Sequence, residues 1–210
     1  MEEEIVTMNA ATIVILRQVN TCKTKPMWNV LLGQNMVKNW LRSTPDVDVI
    51  MRYPGEWKFP GGVCDEHDIT LKDTAIRELN EEFLGLDVDI TKHSTLYLVN
   101  KKLTRAIKGR QYWMHNFVAI DSEPYNEWIN KDIKELINEK LQNRLKEFNK
   151  KLEDGSYWDL TTNEKSQLSP ELSSVDWIDI NESIRLMSSA KDHAHLDYVN
   201  KYQKNEFMKY

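Results

Sequence analysis

Residues 61–86 read GGVCDEHDITLKDTAIRELNEEFLGL, and this stretch is the most informative part of the chain. It begins with a double glycine, continues through a short polar loop and ends in a segment with helical periodicity. An apolar side chain recurs every four positions, which is the spacing that lines up one face of a helix. These apolar residues are Leu71, Ala75, Leu79 and Phe83. The pattern predicts an amphipathic helix over residues 70–84.

Both ends of this predicted helix carry terminal signals. Thr70, followed three positions later by Asp73, is a relative of the capping box, in which two side chains satisfy backbone N–H groups at a helix start. Gly85 stands where a glycine commonly follows the last turn. The boundaries of the helix are therefore predicted independently of its periodicity.

Three carboxylates lie on another face of the same helix. Glu78 and Glu82 are four positions apart, and Glu81 is three positions from Glu78, so all three are neighbours. Clustered carboxylates repel one another unless a cation lies among them. Oxygen ligands without nearby cysteine or histidine favour Mg²⁺ or Mn²⁺ over zinc. The double glycine supports this interpretation, because backbone without Cβ can approach a metal or a phosphate closely.

The stretch resembles the Nudix box, the signature of the Nudix hydrolases. The family pattern is a glycine, five residues, a glutamate, seven residues, and then Arg-Glu-aliphatic-any-Glu-Glu-any-Gly-aliphatic. Residues 77–82 match the helical part fully, and the double glycine matches the start. The loop between Gly62 and Arg77 is one residue longer than the pattern. The place of the loop glutamate falls at Asp68 when it is counted from the glycine and at Ile69 when it is counted from the arginine, and Asp68 is the better chemical substitute. One extra residue precedes Gly85.

The resemblance implies an enzyme that hydrolyses a pyrophosphate bond in a nucleoside diphosphate linked to another moiety, with Mg²⁺ or Mn²⁺ as cofactor. It implies that Glu78, Glu81 and Glu82 are metal ligands and that a carbonyl of the double glycine, at Gly62, completes the metal shell. Arg77 would orient a ligand carboxylate by bidentate pairing.

A general base is a further implication of the resemblance. Either one of the helix glutamates, Glu78 or Glu81, or a distal glutamate would accept the proton of the attacking water. Glu171 precedes a predicted strand and resembles the extra loop glutamate of many Nudix enzymes. Glu123 and Glu127 resemble that position less clearly.

Substrate-binding residues are predicted around the box. Trp57 and Gly61 lie close to its start, where Trp57 could stack on a nucleobase or pack in the core. Arg110 belongs to a basic cluster that either contacts phosphate or RNA or forms a solvated turn. The cluster consists of Lys101, Lys102, Arg105, Lys108 and Arg110.

The rest of the chain predicts an α/β (α+β) fold of the α/β/α sandwich type with a mixed sheet. Strands are expected at residues 11–17, 28–32, 94–101, 111–120 and 174–180, with the third and fourth paired as a hairpin. A long helix at 128–153 is predicted as an insertion, spanning about 126–155, in a single domain over 1–210. It could pack on the core, mediate a dimer or cover the site. Residues 160–170 are expected to form a loop, Asn181 to cap a helix from Glu182, and 191–210 to be helical.

Composition sets the remaining bounds. The chain has 210 residues, and its net charge of −5 argues against non-specific nucleic-acid binding as the main role. Two cysteines, an acidic start and no long apolar run predict an intracellular protein, cytoplasmic or nuclear, without membrane association. Two alternatives to the hydrolase above remain, an mRNA cap or RNA-end hydrolase and a catalytically silent module that binds nucleotide or RNA. The oligomeric state is open.

Overall fold

The computed structural model describes residues 5–19, 27–83, 95–104, 106, 109–120, 133–187 and 208–209. Predictions that concern Gly85, Arg105, Lys108, Glu123 and Glu127 lie outside these residues. The described strands are β1 Val6–Gln18, β2 Trp28–Asn35, β3 Trp57–Lys58, β4 Gly61–Val63, β5 Thr95–Leu103, β6 Arg110–Ile120, β7 Leu172–Asp179 and β8 Met208–Lys209. The described helices are α1 Leu71–Glu82, α2 Ile133–Glu153, α3 Thr162–Leu168 and α4 Ile180–Leu186, with a 3₁₀ turn at Ser156–Asp159.

The sheet is mixed, as predicted, and β1 lies at its centre. This strand is rich in β-branched residues, which pack well on a pleated surface buried on both sides. It runs parallel to β6, with Val6 opposite Arg110 and Leu16 opposite Ile120. Its first half pairs antiparallel with β4 and its last residues pair antiparallel with β2. The double glycine is thereby hydrogen-bonded into the centre of the sheet.

The outer strands complete the sheet. On one side, β2 pairs antiparallel with β3 and with β7. On the other side, β5 and β6 form the predicted antiparallel hairpin, and β8 pairs with β5. Residues 208–209 are therefore a strand and not part of the helix that was predicted over 191–210, because their backbone completes the edge of β5; most of that segment lies outside the described residues.

Helices cover both faces of the sheet. Successive side chains of a strand point to opposite faces, so Ile13 and Ile15 enter one core with α1 and α2, whereas Val14 and Leu16 enter a second core with α4. The predicted α/β/α sandwich is confirmed. No described helix is long and apolar enough to cross a bilayer.

The long inserted helix packs on the domain. Ile137 and Leu141 of α2 are buried in the core that α1 shares, and Phe148 is buried in a third cluster with Tyr157 and Leu168. Of the three roles considered from the sequence, packing on the core is the one that these contacts demonstrate. The described part of the helix ends at Glu153, shortly before Gly155 at φ +81°.

Two local predictions are wrong. Residues 160–170 contain α3, whose first turn is fixed by a capping box between Thr161 and Glu164. Helix α4 begins at Ile180 and not at Glu182. Asp179 caps it in place of Asn181, because the Asp179 carboxylate accepts hydrogen bonds from the N–H groups of Asn181 and Glu182.

Candidate functional site

Helix α1 starts where the sequence predicts and presents its carboxylates away from the core. The Thr70 hydroxyl accepts a hydrogen bond from the Asp73 N–H at 3.2 Å, and the Asp73 carboxylate accepts one from the Thr70 N–H at 2.8 Å. Ala75 and Leu79 are fully buried against the sheet. Glu78, Glu81 and Glu82 therefore stand on a helix that is anchored at its start and along its apolar face.

Arg77 joins the loop of the box to two of the helix carboxylates. Its Nε and Nη2 atoms donate to the two oxygens of Asp68 at 3.1 and 3.0 Å. Its Nη1 atom donates to Glu78 at 2.8 Å and to Glu81 at 3.0 Å, and Nη2 also reaches the Val63 carbonyl at 3.0 Å. Because a guanidinium is planar, these bonds fix the carboxylates in direction as well as in distance.

Asp68 therefore reaches the site despite the longer loop. Its side chain is only 5% exposed, and the paired hydrogen bonds from Arg77 lower its pKa from 3.8 to about 2. The extra residue of the loop is absorbed ahead of the helix, where the Asp68 carboxylate also accepts a hydrogen bond from the Asp65 N–H at 2.8 Å. Of the two positions considered for the loop glutamate, Asp68 is thus the one whose side chain contacts Arg77, and its role in place of that glutamate stays a prediction.

Glu82 is held separately, by Lys58 and by the double glycine. Its carboxylate pairs with the Lys58 ammonium and accepts a hydrogen bond from the Gly61 N–H at 3.1 Å. Burial raises the pKa of Glu82 to about 7, against the opposite effect of Lys58. Burial is the largest single effect on Lys58 and would lower its pKa, but the charge and hydrogen bond of Glu82, with the charges of Glu171 and Glu78, together outweigh it and the pKa is raised. Glu82 is thus a desolvated carboxylate whose charge is balanced by the Lys58 ammonium.

Glu78 lies against the second glycine. A Cβ atom at Gly62 would overlap the Glu78 carboxylate, and a Cβ atom at Gly61 would come within 2.5 Å of the Ala11 carbonyl oxygen. Gly61 therefore needs glycine because backbone lies close to it, whereas a side chain at Gly62 would displace the Glu78 carboxylate. Burial raises the pKa of Glu78, although its bond with Arg77 acts in the opposite direction.

A cavity of about 610 Å³ opens beside these residues. Its acidic wall consists of Glu78, Glu81 and Glu82 of α1 together with Glu171 from the turn between α3 and β7. Asn80 of α1 also lines the cavity. The rest of the described lining comes from α2, α3 and the residues after α3, and consists of Leu141, Arg144, Ser166, Gln167, Ser169 and Pro170. Helix α2 thus contributes Leu141 and Arg144 to the cavity that the box opens into.

Glu171, predicted from the sequence as a distal carboxylate, lies in this cavity. One of its carboxylate oxygens is 3.9 Å from the Lys58 ammonium, so Glu171 and Glu82 share a cation. Its side chain is 58% exposed, in contrast to the buried Glu82. Glu171 is therefore the carboxylate with the freest access to water beside Lys58.

The four carboxylates are suited to a hard divalent cation by donor type, because all of their donor atoms are oxygens. Among the described residues, however, no three acidic, cysteine or histidine side chains converge on one point. Glu78 and Glu81 turn toward Arg77, whereas Glu82 turns toward Lys58. The donor atoms fit Mg²⁺ or Mn²⁺, while in this arrangement the side chains of Arg77 and Lys58 balance the charge of the carboxylates.

The predicted substrate residues do not line the described part of this cavity. Trp57 packs against the second core, on the sheet face opposite α1. The Gly61 N–H group donates a hydrogen bond to the Glu82 carboxylate. Arg110 is exposed at the start of β6, and Lys101 of the same basic cluster lies 4.7 Å from the centre of the Trp113 ring. Their binding roles stay predictions.

Two basic residues of the site were not predicted from the sequence. Lys58 stands three positions before the double glycine, and its local signal is weak. Arg144 lies between Leu141 and Phe148 in the apolar stripe of α2, so a charged residue interrupts a buried face. That interruption is the signal by which Arg144 could have been found.

Comparison with known proteins identifies the box. Residues 41–141 match the family model described as the NUDIX domain. No curated protein sequence matches the chain significantly.

Solved structures with a similar fold include the C. elegans Ap4A hydrolase, at 17% identity over 94% of this chain and 98% of that chain, with a TM-score of 0.47. The NUDIX domain of Shewanella oneidensis NrtR, complexed with ADP ribose, matches at 13% identity over 95% and 88%, with a TM-score of 0.48. The E. coli ORF135 protein matches at 14% identity over 95% and 94%, also with a TM-score of 0.48.

Proposed function

We propose that the protein, whose residues 41–141 match the NUDIX domain model, is a pyrophosphohydrolase that uses Mg²⁺ or Mn²⁺ to cleave a nucleoside diphosphate-linked substrate. One observation carries the proposal. Four carboxylates from two separate segments, Glu78, Glu81 and Glu82 of α1 and Glu171 after α3, line a single cavity of about 610 Å³. A cavity of this size accommodates a small ligand.

Glu78, Glu81 and Glu82 would hold the cation, with the Gly62 carbonyl as a further oxygen donor. When bound, the cation neutralises phosphate oxygens and makes water a better nucleophile. Arg77 orients two of the carboxylates by its hydrogen bonds to Glu78 and Glu81. Carboxylates with a fixed direction lose little conformational entropy when they bind a ligand.

Glu171 is the residue that we propose as general base. Hydrolysis forms a bond from the water oxygen to phosphorus, breaks the bond from phosphorus to the leaving phosphate oxygen and releases a proton from the water. A half-exposed carboxylate can receive that proton and pass it to solvent. Lys58, 3.9 Å away, holds Glu171 beside Glu82 on the acidic wall.

The test is turnover by a Glu81→Gln variant. Glu81 is chosen because its side chain is exposed, so that the substitution should leave folding intact. Initial rates of product release are measured over a panel of nucleoside triphosphates, nucleotide sugars, dinucleoside polyphosphates and capped RNA, with Mg²⁺ and with Mn²⁺. We expect a loss on the order of 100-fold on the best substrate, because a ligand to the cation is removed.

Glu139→Gln is the matched control, since Glu139 is an exposed glutamate of α2. It should turn over at the wild-type rate, and circular dichroism should give the same spectrum for all three proteins. Undiminished turnover by the Glu81→Gln variant would reject the metal role. If the wild-type protein bound pyrophosphate but turned over nothing in the panel, the silent binding module would replace the hydrolase.

A further inference from the structure

Arg144 gives the wall opposite α1 a positive charge. Among the described residues that line the cavity, it is the only one with a basic side chain, and four carboxylates line the same cavity. It belongs to the inserted helix α2 and not to the residues of the box. A second basic group, Lys58, contacts Glu82 from below the cavity and is already paired.

The guanidinium of Arg144 is held in place by α3. Its Nε atom donates to the Leu168 carbonyl at 3.0 Å, and its Nη2 atom donates to the Ser166 carbonyl at 2.8 Å. These carbonyls belong to the last turn of α3, where helical hydrogen-bond partners are missing. Two of the five guanidinium N–H groups are thereby used, and no further hydrogen bond is seen to any residue that the structure describes.

The segment that holds Arg144 is itself fixed. The Tyr157 hydroxyl hydrogen-bonds to the Trp40 carbonyl at 3.0 Å and to the Ser169 hydroxyl at 2.6 Å, directly after α3. Phe148, Tyr157 and Leu168 bury their side chains together. The guanidinium plane is therefore set by a packed cluster, which is the condition for a binding group that loses little entropy on contact with a ligand.

A helix cap alone does not account for this residue. A cation at a helix C-terminus is favourable, and it explains the two hydrogen bonds. It does not explain why a charged group lines a cavity where its described hydrogen-bond partners are neutral carbonyls. Burial lowers the pKa of Arg144, and the charge of Glu171 opposes that effect only in part. Leaving such a group in a cavity is costly unless an anion completes its hydrogen bonds.

The neighbouring donors are less able to bind an anion. The Ser166 hydroxyl donates to the Asn163 carbonyl at 2.8 Å, and the Ser169 hydroxyl is bonded to Tyr157. A diphosphate in this cavity would meet four carboxylates on one side, so it needs a fixed donor on the other. A guanidinium matches the spacing of two phosphate oxygens.

We infer that Arg144 binds non-bridging phosphate oxygens of the diphosphate substrate from the wall opposite α1. The inference rests on the proposed hydrolase function and deepens it. The inserted helix thereby contributes a substrate-binding residue to the site, and the substrate lies between the acidic wall and the guanidinium.

The experiment compares Arg144→Gln and Arg144→Lys with Arg185→Gln, which removes the same charge from an exposed position on α4. The probe is inorganic pyrophosphate with Mg²⁺, and its dissociation constant is measured by isothermal titration calorimetry. We expect Arg144→Gln to weaken binding by about 10- to 100-fold, as is typical of charge-assisted hydrogen bonds. Arg144→Lys should weaken it by at least about 3-fold because an ammonium cannot bind two oxygens side by side. Arg185→Gln should stay within about 2-fold of the wild type, as expected for a distant surface charge.

Kinetics on the best substrate of the panel separate binding from folding. The KM of Arg144→Gln should rise while its melting temperature falls only moderately. Wild-type affinity for pyrophosphate together with a lowered melting temperature would show that Arg144 only caps α3. If Arg144→Gln does not fold, wild-type affinity in Arg144→Lys overturns the inference by itself.

Failure of the inference and failure of the proposed function are distinguishable. Loss of turnover in the Glu81→Gln variant with unchanged pyrophosphate affinity in the Arg144 variants rejects the inference alone. Full turnover in the Glu81→Gln variant rejects the proposed metal role, whatever the Arg144 variants bind.

Discussion

At the scale of single residues, the carboxylates of α1 form ion pairs with two different basic side chains. Arg77 forms ion pairs with Glu78, Glu81 and Asp68. Lys58 forms an ion pair with Glu82 and lies 3.9 Å from a carboxylate oxygen of Glu171. Each buried carboxylate thus has a partner of opposite charge, which is the requirement for burying charge in a stable fold. The two cations allow the site to fold with its acidic residues already in place.

The Asp68–Arg77 pair predicts a specific dependence of stability on pH. The folded-state pKa of Asp68 is lowered from 3.8 to about 2, so its contribution is present above about pH 4 and is lost as the pH falls toward 2. Asp68→Asn should lower the free energy of unfolding by about 2 kcal/mol at pH 7, since charge-assisted hydrogen bonds are lost. The difference from the wild type should shrink as the pH approaches 2, as measured by urea unfolding.

Asp159→Asn is the control for this prediction, because Asp159 is exposed in the 3₁₀ turn. It should unfold like the wild type at each pH. A difference between Asp68→Asn and the wild type that stays constant from pH 7 to pH 2 would contradict the assignment of the ion pair.

Lys58→Met should destabilise the protein through Glu82. The side chain of Glu82 is only 8% exposed, and removal of Lys58 leaves its charge without the counter-ion. Breaking a buried pair on one side costs about 3 kcal/mol. Urea unfolding at pH 7.5 in the presence of a chelator measures the loss. Lys146→Met, at an exposed position of α2, should cost almost nothing. Equal stability of the two variants would mean that Lys58 does not compensate Glu82.

At the scale of secondary structure, α2 and α3 complete a site that α1 begins. Helix α2 packs on the core through Ile137 and Leu141, then carries Arg144 to the cavity and Phe148 to the third cluster. The cluster fixes α3, whose last carbonyls bind Arg144. The packing of the insertion therefore positions a residue of the site.

Phe148→Ala tests this packing. Phe148 is 1% exposed and makes edge-to-face contacts with Trp40 and Tyr157, with ring centres 5.0 and 5.1 Å apart. Truncation of a buried phenylalanine costs about 3–5 kcal/mol. Leu136→Ala on the same helix is the control, since Leu136 is 54% exposed and its truncation should cost well under about 1 kcal/mol. Thermal unfolding gives both values, and similar losses for the two variants would contradict the observed orientation of α2.

The elements that the sequence predicted are those with strong local signals. Helix α1 has a four-residue apolar repeat and a capping box, and the β5–β6 hairpin has two apolar runs around Gly109. Helix α3 was missed because seven residues are too short for a periodic pattern. Its one local signal was Thr161 with Glu164 three positions later, which is a capping box.

At the scale of the whole molecule, the insertion and the sheet share one core. Ile137 and Leu141 of α2 lie in the same cluster as Leu79 of α1 and Ile13 of β1. We therefore predict that the protein unfolds as one cooperative unit, with a calorimetric enthalpy about equal to the van't Hoff enthalpy. Differential scanning calorimetry measures both. Two separate transitions, or a Phe148→Ala variant in which only part of the heat absorption moves to lower temperature, would show that the insertion unfolds independently.

The sequence by itself determined the acidic helix and its chemistry. The spacing of Glu78, Glu81 and Glu82, the cap at Thr70 and the match to the family pattern are all local, because neighbours on a helix are three or four residues apart. The double glycine was also recognised from the sequence, because backbone without Cβ can approach another group closely. These features alone carry the resemblance to the Nudix box and the class of metal ion proposed for the site.

Only the tertiary structure decided how the carboxylates are balanced and what faces them. Lys58 reaches Glu82 across 24 positions of sequence, and Arg144 reaches the Leu168 carbonyl across another 24. No periodicity or spacing rule links residues so far apart, because their meeting depends on how strands, helices and the insertion pack. The glutamates of α1 could therefore be predicted from the sequence. The basic partners of these glutamates and the other residues that line the cavity could be identified only from the folded structure.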